Sequence, residues 1–147
     1  MCGVFGIIGE YSSSKAREAL AKLEHRGRDH CGIVERDRLF LAHQRLSITD
    51  VHPRSHQPMA SGQVLISFNG EIYNHAALRE RLKLSHWETA SDTEVILRAY
   101  ECRRRETLPG TGPIRQKTPL LPSIGGAFYF CVRDQSDQTV SLFRPNE

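Results

Sequence analysis

The chain has 147 residues, 39% of them hydrophobic and 25% charged, with a formal net charge of +3. That balance fits one globular domain with a real core, and no apolar run approaches the roughly 20 residues of a membrane span. Much of the basic excess sits in Arg103-Arg104-Arg105, Arg115 and Lys117; without interleaved stacking aromatics it reads as a solvated helix end, not a nucleic-acid face.

Residues 2–9 are apolar, β-favouring and Gly-punctuated, and read as a buried strand. No basic stretch precedes them, so no signal peptide is expected and the expected compartment is the cytosol. Cys2, Cys31, Cys102 and Cys131 are dispersed and expected as free thiols. The last three read as small buried apolar residues. Cys2 carries a second reading. Loss of Met1 would give one residue both a thiol and a free α-amine. A free thiol, with a pKa near 8.5, is mostly protonated at neutral pH, and an α-amine of pKa roughly 7.7–8.0 is able to take that proton. One residue then serves as nucleophile and general base.

Ser12-Ser13-Ser14 offers N-cap hydroxyls to a helix that carries Ala16, Ala19, Leu20 and Leu23 and stops at Gly27. Short strands are expected at 32–35, 39–43 and 46–49, then a loop over 50–58 with two prolines. Residues 63–68 read as a strand ending in the turn-forming pair Asn69-Gly70, with 71–73 continuing extended. Asn74 is placed to cap a helix reaching about Leu84. Ser91 and Glu94 form a capping-box pattern before a helix that turns Val95, Ile96, Ala99 and Tyr100 to a core. Residues 106–126 read as a long Pro-rich loop, and 127–133 with 138–143 as a hairpin. Strands grouped beside helices point to an α+β fold of antiparallel sheets covered by helices. No Cys/His pair has metal-finger spacing, so no metal is expected; His52 and His56 read as solvated, and His25 and Arg26 as structural.

One ordered series of motifs is specific. Met1-Cys2-Gly3-Val4-Phe5-Gly6 is followed by His25-Arg26-Gly27-Arg28-Asp29, His43-Gln44-Arg45-Leu46-Ser47-Ile48-Thr49-Asp50 and Gln57-Pro58. Then come Phe68-Asn69-Gly70-Glu71-Ile72-Tyr73-Asn74 and Ser91-Asp92-Thr93-Glu94-Val95-Ile96-Leu97. This series resembles the N-terminal glutaminase domain of glutamine-hydrolysing asparagine synthetases, a class II glutamine amidotransferase of the N-terminal nucleophile hydrolase type. The resemblance is strong over 1–101, weak over 103–125 and partial from 126 onward. It implies a single domain over 1–147 built as two stacked antiparallel sheets between helix layers (αββα).

The resemblance also implies roles. Cys2 becomes the nucleophile toward L-glutamine, with the Asn69 side-chain amide and Gly70 N–H as oxyanion donors. Arg45 would take the substrate carboxylate, which its planar fork suits, and Asp92 the ammonium. Glu71 and the backbone of Leu46, Ser47, Ile48 and Thr49 would line the same pocket. Taken alone, Asn69-Gly70 is equally a hairpin turn and Asp92 equally a charge complementing a helix N-terminus. No cofactor is needed for this half-reaction; ATP and Mg belong to a synthetase domain not found in these residues.

Three departures stand out. Arg28 replaces a proline common in the family. The Pro-rich stretch intervenes before Gly125-Gly126-Ala127-Phe128-Tyr129-Phe130, and the chain ends at Glu147 where family members continue. The expectation is a glutaminase domain truncated at its C-terminus, either partnered by a separate synthetase subunit or a non-catalytic, partner-binding remnant. A glutaminase domain of another class II amidotransferase is the third reading, disfavoured by the wording of the 45–50 and 69–74 segments.

Overall fold

The computed structural model describes residues 1–36, 38–48, 50–62, 64–106, 129–134 and 140–143, with side chains described as far as Cys102. The order is β1 (Gly3–Ile8), α1 (Ser13–Ala21), β2 (His30–Arg36), β3 (Leu39–Arg45), β4 (Met59–Ser61), β5 (Val64–Asn69), α2 (His75–Leu82), α3 (Asp92–Glu106), β6 (Tyr129–Asp134) and β7 (Val140–Phe143). All pairings are antiparallel. One sheet has the order β1-β3-β2 and the other β4-β5-β6-β7.

The alternation of β3 explains the layering. Phe40 and Ala42 pack with Ala16 and Leu20 of α1, while Leu39 and Leu41 meet Leu65 of β5. The other face of β5, Val64, Ile66 and Phe68, packs on Leu78 of α2 and Val95, Ile96 and Leu97 of α3. Successive side chains of a strand point to opposite faces, so β3 and β5 each bury both sides. The result is an α+β stack: helix, sheet, sheet, helices. Phe40 is 0% exposed, and burial of such a ring is worth about 1.5–3 kcal/mol; Phe5 and Tyr11 meet it edge-on at 5.8 and 5.9 Å.

Polar links through Ser67 cross between the sheets: its Oγ donates to the Ala42 carbonyl at 3.4 Å. His43 Nδ1 lies 3.2 Å from Ser67 Oγ, and both residues are fully buried. Burial first, then the Arg45 and His30 charges, lower the His43 pKa to about 4.

Several local expectations need correction. Among the described residues β1 is an edge strand whose exposure alternates, leaving Ile8 exposed. Residues 46–48 form no strand, because the β2–β3 ladder ends where His30 faces Arg45. Asn69-Gly70 closes β5 but makes no hairpin: Tyr73 and Asn74 turn directly into α2. Neither Ser12 nor Asn74 caps its helix with its side chain; the Ser12 hydroxyl pairs with that of Ser14 at 2.9 Å. The capping box is half formed. Thr93 N–H donates to Ser91 Oγ at 3.2 Å, but Glu94 turns to the N–H groups of Glu88 and Thr89 at 3.0 and 2.7 Å. Strand β4 is an addition. Cys31 is exposed rather than buried, and His56 stacks on His30 with ring centroids 3.5 Å apart rather than standing in solvent. β6 and β7 pair as expected; the Pro-rich loop, the hairpin turn and the Cys131 side chain lie outside the described residues. Among those residues no helix is long and apolar enough to cross a membrane.

Candidate active site

A cavity of about 560 Å³ opens at one end of the two sheets, lined in part by Cys2, Arg45, Leu46, Ile48, Asn69, Gly70, Glu71 and Asp92. The topology explains the convergence. Gly3 faces Gln44 in the β1–β3 register, so the residue before β1 comes to rest beside the residues after β3. Leu46 N–H donates to Cys2 Sγ at 3.4 Å, and the thiol in turn lies 3.6 Å from the Leu46 carbonyl. β5 delivers Asn69 and Gly70 from the facing sheet, and Asp92 opens α3.

The 26–29 loop buttresses the thiol's neighbour. Asp29 N–H donates to the Arg45 carbonyl at 3.0 Å, and Ser47 N–H donates to Asp29 Oδ2 at 2.6 Å. Gly27 is packed so closely that a Cβ would lie 2.6 Å from both Arg45 O and Leu46 N. Ser47 therefore points its N–H at Asp29 and is not among the cavity-lining residues. Thr49 lies outside the described residues.

The charged groups are held differently. Arg45 is 5% exposed, and its Nη2 donates to the Asp50 carbonyl at 2.6 Å. Asp92 accepts from Ile72 N–H at 2.9 Å. Burial raises the Asp92 pKa above the ordinary value, against the opposing N–H bonds of Ile72 and Thr93. Glu71 is exposed at the rim. Two cations, Arg45 and Arg26, thus share a wall set with two carboxylates, Glu71 and Asp92. Such a cavity suits a small zwitterion held beside the Cys2 thiol.

Some lining residues carried no such expectation. Arg26, read as structural, faces the cavity. Gln57 also lines it: its Oε1 accepts from Phe68 N–H at 2.6 Å and its Nε2 donates to Thr93 Oγ1 at 3.1 Å. The Gln57-Pro58 motif stood in the ordered series but its cross-linking use had no local signal. Among the described residues, no group of three or more His, Cys, Asp or Glu is arranged to hold a metal.

Comparison with known proteins was consistent with this geometry. A glutamine amidotransferase domain family matches residues 1–146. The chain is 41% identical over 147 residues to asparagine synthetase [glutamine-hydrolyzing] 3 of Arabidopsis thaliana, covering 95% of this chain and 23% of that protein. It is 40% identical over 152 residues to asparagine synthetase [glutamine-hydrolyzing] 1 of the same plant, covering 98% and 24%. Against asparagine synthetase [glutamine-hydrolyzing] 2 of Oryza sativa subsp. japonica it is 42% identical over 109 residues, covering 69% and 18%. The chain therefore spans about a quarter or less of the length of these relatives.

Proposed function

The chain belongs to the glutamine amidotransferase domain family, and from that premise we propose that it hydrolyses L-glutamine to glutamate and ammonia through Cys2. The observation that carries this reading is the Leu46 N–H aimed at Cys2 Sγ at 3.4 Å, on the wall of a cavity that also holds Asn69, Gly70, Arg45 and Asp92.

In the proposed mechanism Met1 is first removed, as expected of an N-terminal nucleophile hydrolase. The freed α-amine of Cys2, through a water, takes the thiol proton. The sulfur attacks the substrate's side-chain amide carbon. The oxyanion is met by the Asn69 carboxamide and the Gly70 N–H. The tetrahedral adduct collapses, its C–N bond breaks, and the nitrogen leaves as ammonia with the proton returned by the amine. Water then hydrolyses the γ-glutamyl thioester. Arg45 holds the α-carboxylate bidentately, Asp92 the α-ammonium, and Glu71 lies at the rim.

The names of the relatives support a destination for the ammonia: ATP-dependent conversion of aspartate to asparagine by a synthetase unit outside these residues. ATP and Mg would act there. The proposed compartment is the cytosol, where Cys2 and Cys31 stay reduced.

Labelling with a glutamine-analogue electrophile, followed by peptide mass spectrometry, tests the reading. Label on Cys2, with glutamine protecting it, is expected. Label on Cys31, Cys102 or Cys131 instead would overturn the assignment.

A further inference from the structure

Asp50 stands between the two segments that carry the proposed recognition charges. Its backbone carbonyl accepts from Arg45 Nη2 at 2.6 Å. Its side-chain Oδ2 accepts from Ala90 N–H at 2.7 Å, two residues ahead of Asp92. Arg54 Nε lies 3.5 Å from the same oxygen, and the Asp50 side chain is 4% exposed. The backbone here has φ 44°, in the left-handed region that non-Gly residues enter at a cost. Asp and Asn tolerate that region better than most residues, and the strained turn is what allows one residue to present its carbonyl to one wall and its carboxylate to the other.

We propose that Asp50 is a positioning residue for glutamine capture: it sets the spacing between the Arg45 guanidinium and the Ser91-Asp92 helix start. The proposal rests on the glutaminase reading above. A zwitterion is gripped at two points, so an error in their separation weakens binding at both. The amide under attack by Cys2 is bonded elsewhere on the substrate, and its chemistry is less affected. A residue acting this way changes KM more than kcat.

The test compares Asp50→Gly, which adopts the local φ freely, and Asp50→Ser, neither of which reaches Ala90 N–H, with Asp50→Asn, whose side-chain carbonyl still accepts that bond. Glutamate release is followed as a function of glutamine concentration, with far-UV circular dichroism to confirm folding. For the Gly and Ser variants KM is expected to rise about tenfold, the scale of one lost hydrogen bond, with kcat within about threefold. The Asn variant is expected to stay within about threefold of native KM. Unchanged KM in a folded Gly or Ser variant would overturn the proposal, as would an Asn variant as weak as they are. Unfolding of both Gly and Ser variants would mark Asp50 as a fold residue and overturn it too. A native protein that releases no glutamate would instead remove the glutaminase reading, and this inference with it.

Discussion

The thiol of Cys2 lies against the backbone of one residue: Leu46 offers it an N–H at 3.4 Å and a carbonyl at 3.6 Å. That backbone is fixed by Asp29 on one side and by the close approach of Gly27 on the other.

Gly27→Ala forces the Arg45–Leu46 peptide away from its place. The expected outcome is a fall in kcat of about 100-fold, the scale seen when a reacting group is misplaced by an ångström, with far-UV circular dichroism retained. Native kcat in this variant would show that the peptide's position is immaterial to the sulfur.

In the proposed role Asp92 must be ionised to hold the substrate ammonium. Its pKa is raised by burial, so in the proposed role glutamine capture is lost as pH falls through a value above the ordinary one for Asp, and is intact at higher pH. The apparent KM of the native protein is expected to climb in acid, starting above pH 3.8, the ordinary value. Asp92→Asn is expected to raise KM by at least about tenfold at neutral pH and to remove Asp92's share of the acid limb. A flat KM in both proteins would contradict the role.

How much of this was legible in the sequence depends on the range of the interaction. The continuous apolar runs of β3 and β5 are local, and their strands could be read directly. The ordered motifs brought Cys2, Asn69 and Asp92 together in expectation, and one cavity holds all three. What could not be read was each partner chosen across the fold. Glu94 carried the pattern of a capping box, yet its carboxylate is taken by the 88–89 backbone and Arg98. Asp50 and Gln57 stood inside recognised motifs, but their uses depend on segments 36 to 40 residues away. The 46–49 segment alternates apolar and polar residues as a strand does, but among the described residues 46–48 have no pairing partner, and Leu46 and Ile48 are left exposed at the cavity.

His43 makes the fold acid-sensitive. Its folded pKa is about 4 against an ordinary 6.5. Below pH 6.5 the unfolded chain takes a proton that the folded one refuses, so stability is full above 6.5 and is lost as pH falls toward 4. The expected loss is about 3 kcal/mol, read from urea midpoints between those limits. His43→Gln, which keeps a polar partner for Ser67, is expected to flatten that slope. An unchanged slope would assign the acid sensitivity to other groups.

Glu94 is a structural anchor. Its side chain is 3% exposed, and it accepts from Thr89 Oγ1 at 2.8 Å as well as from two backbone N–H groups. Glu94→Ala strands those donors and is expected to cost about 3 kcal/mol, lowering Tm by about 10 °C. A Tm within about 2 °C of native would refute the anchoring role.

The most direct measurement pairs N-terminal identity with turnover. Glutamate release from glutamine is assayed on protein whose first residue is verified as Cys2, on protein that retains Met1, and on Cys2→Ala. Release confined to the first preparation is the expected result. Release that persists with Met1 in place, or in the Ala variant, would contradict catalysis by an N-terminal cysteine.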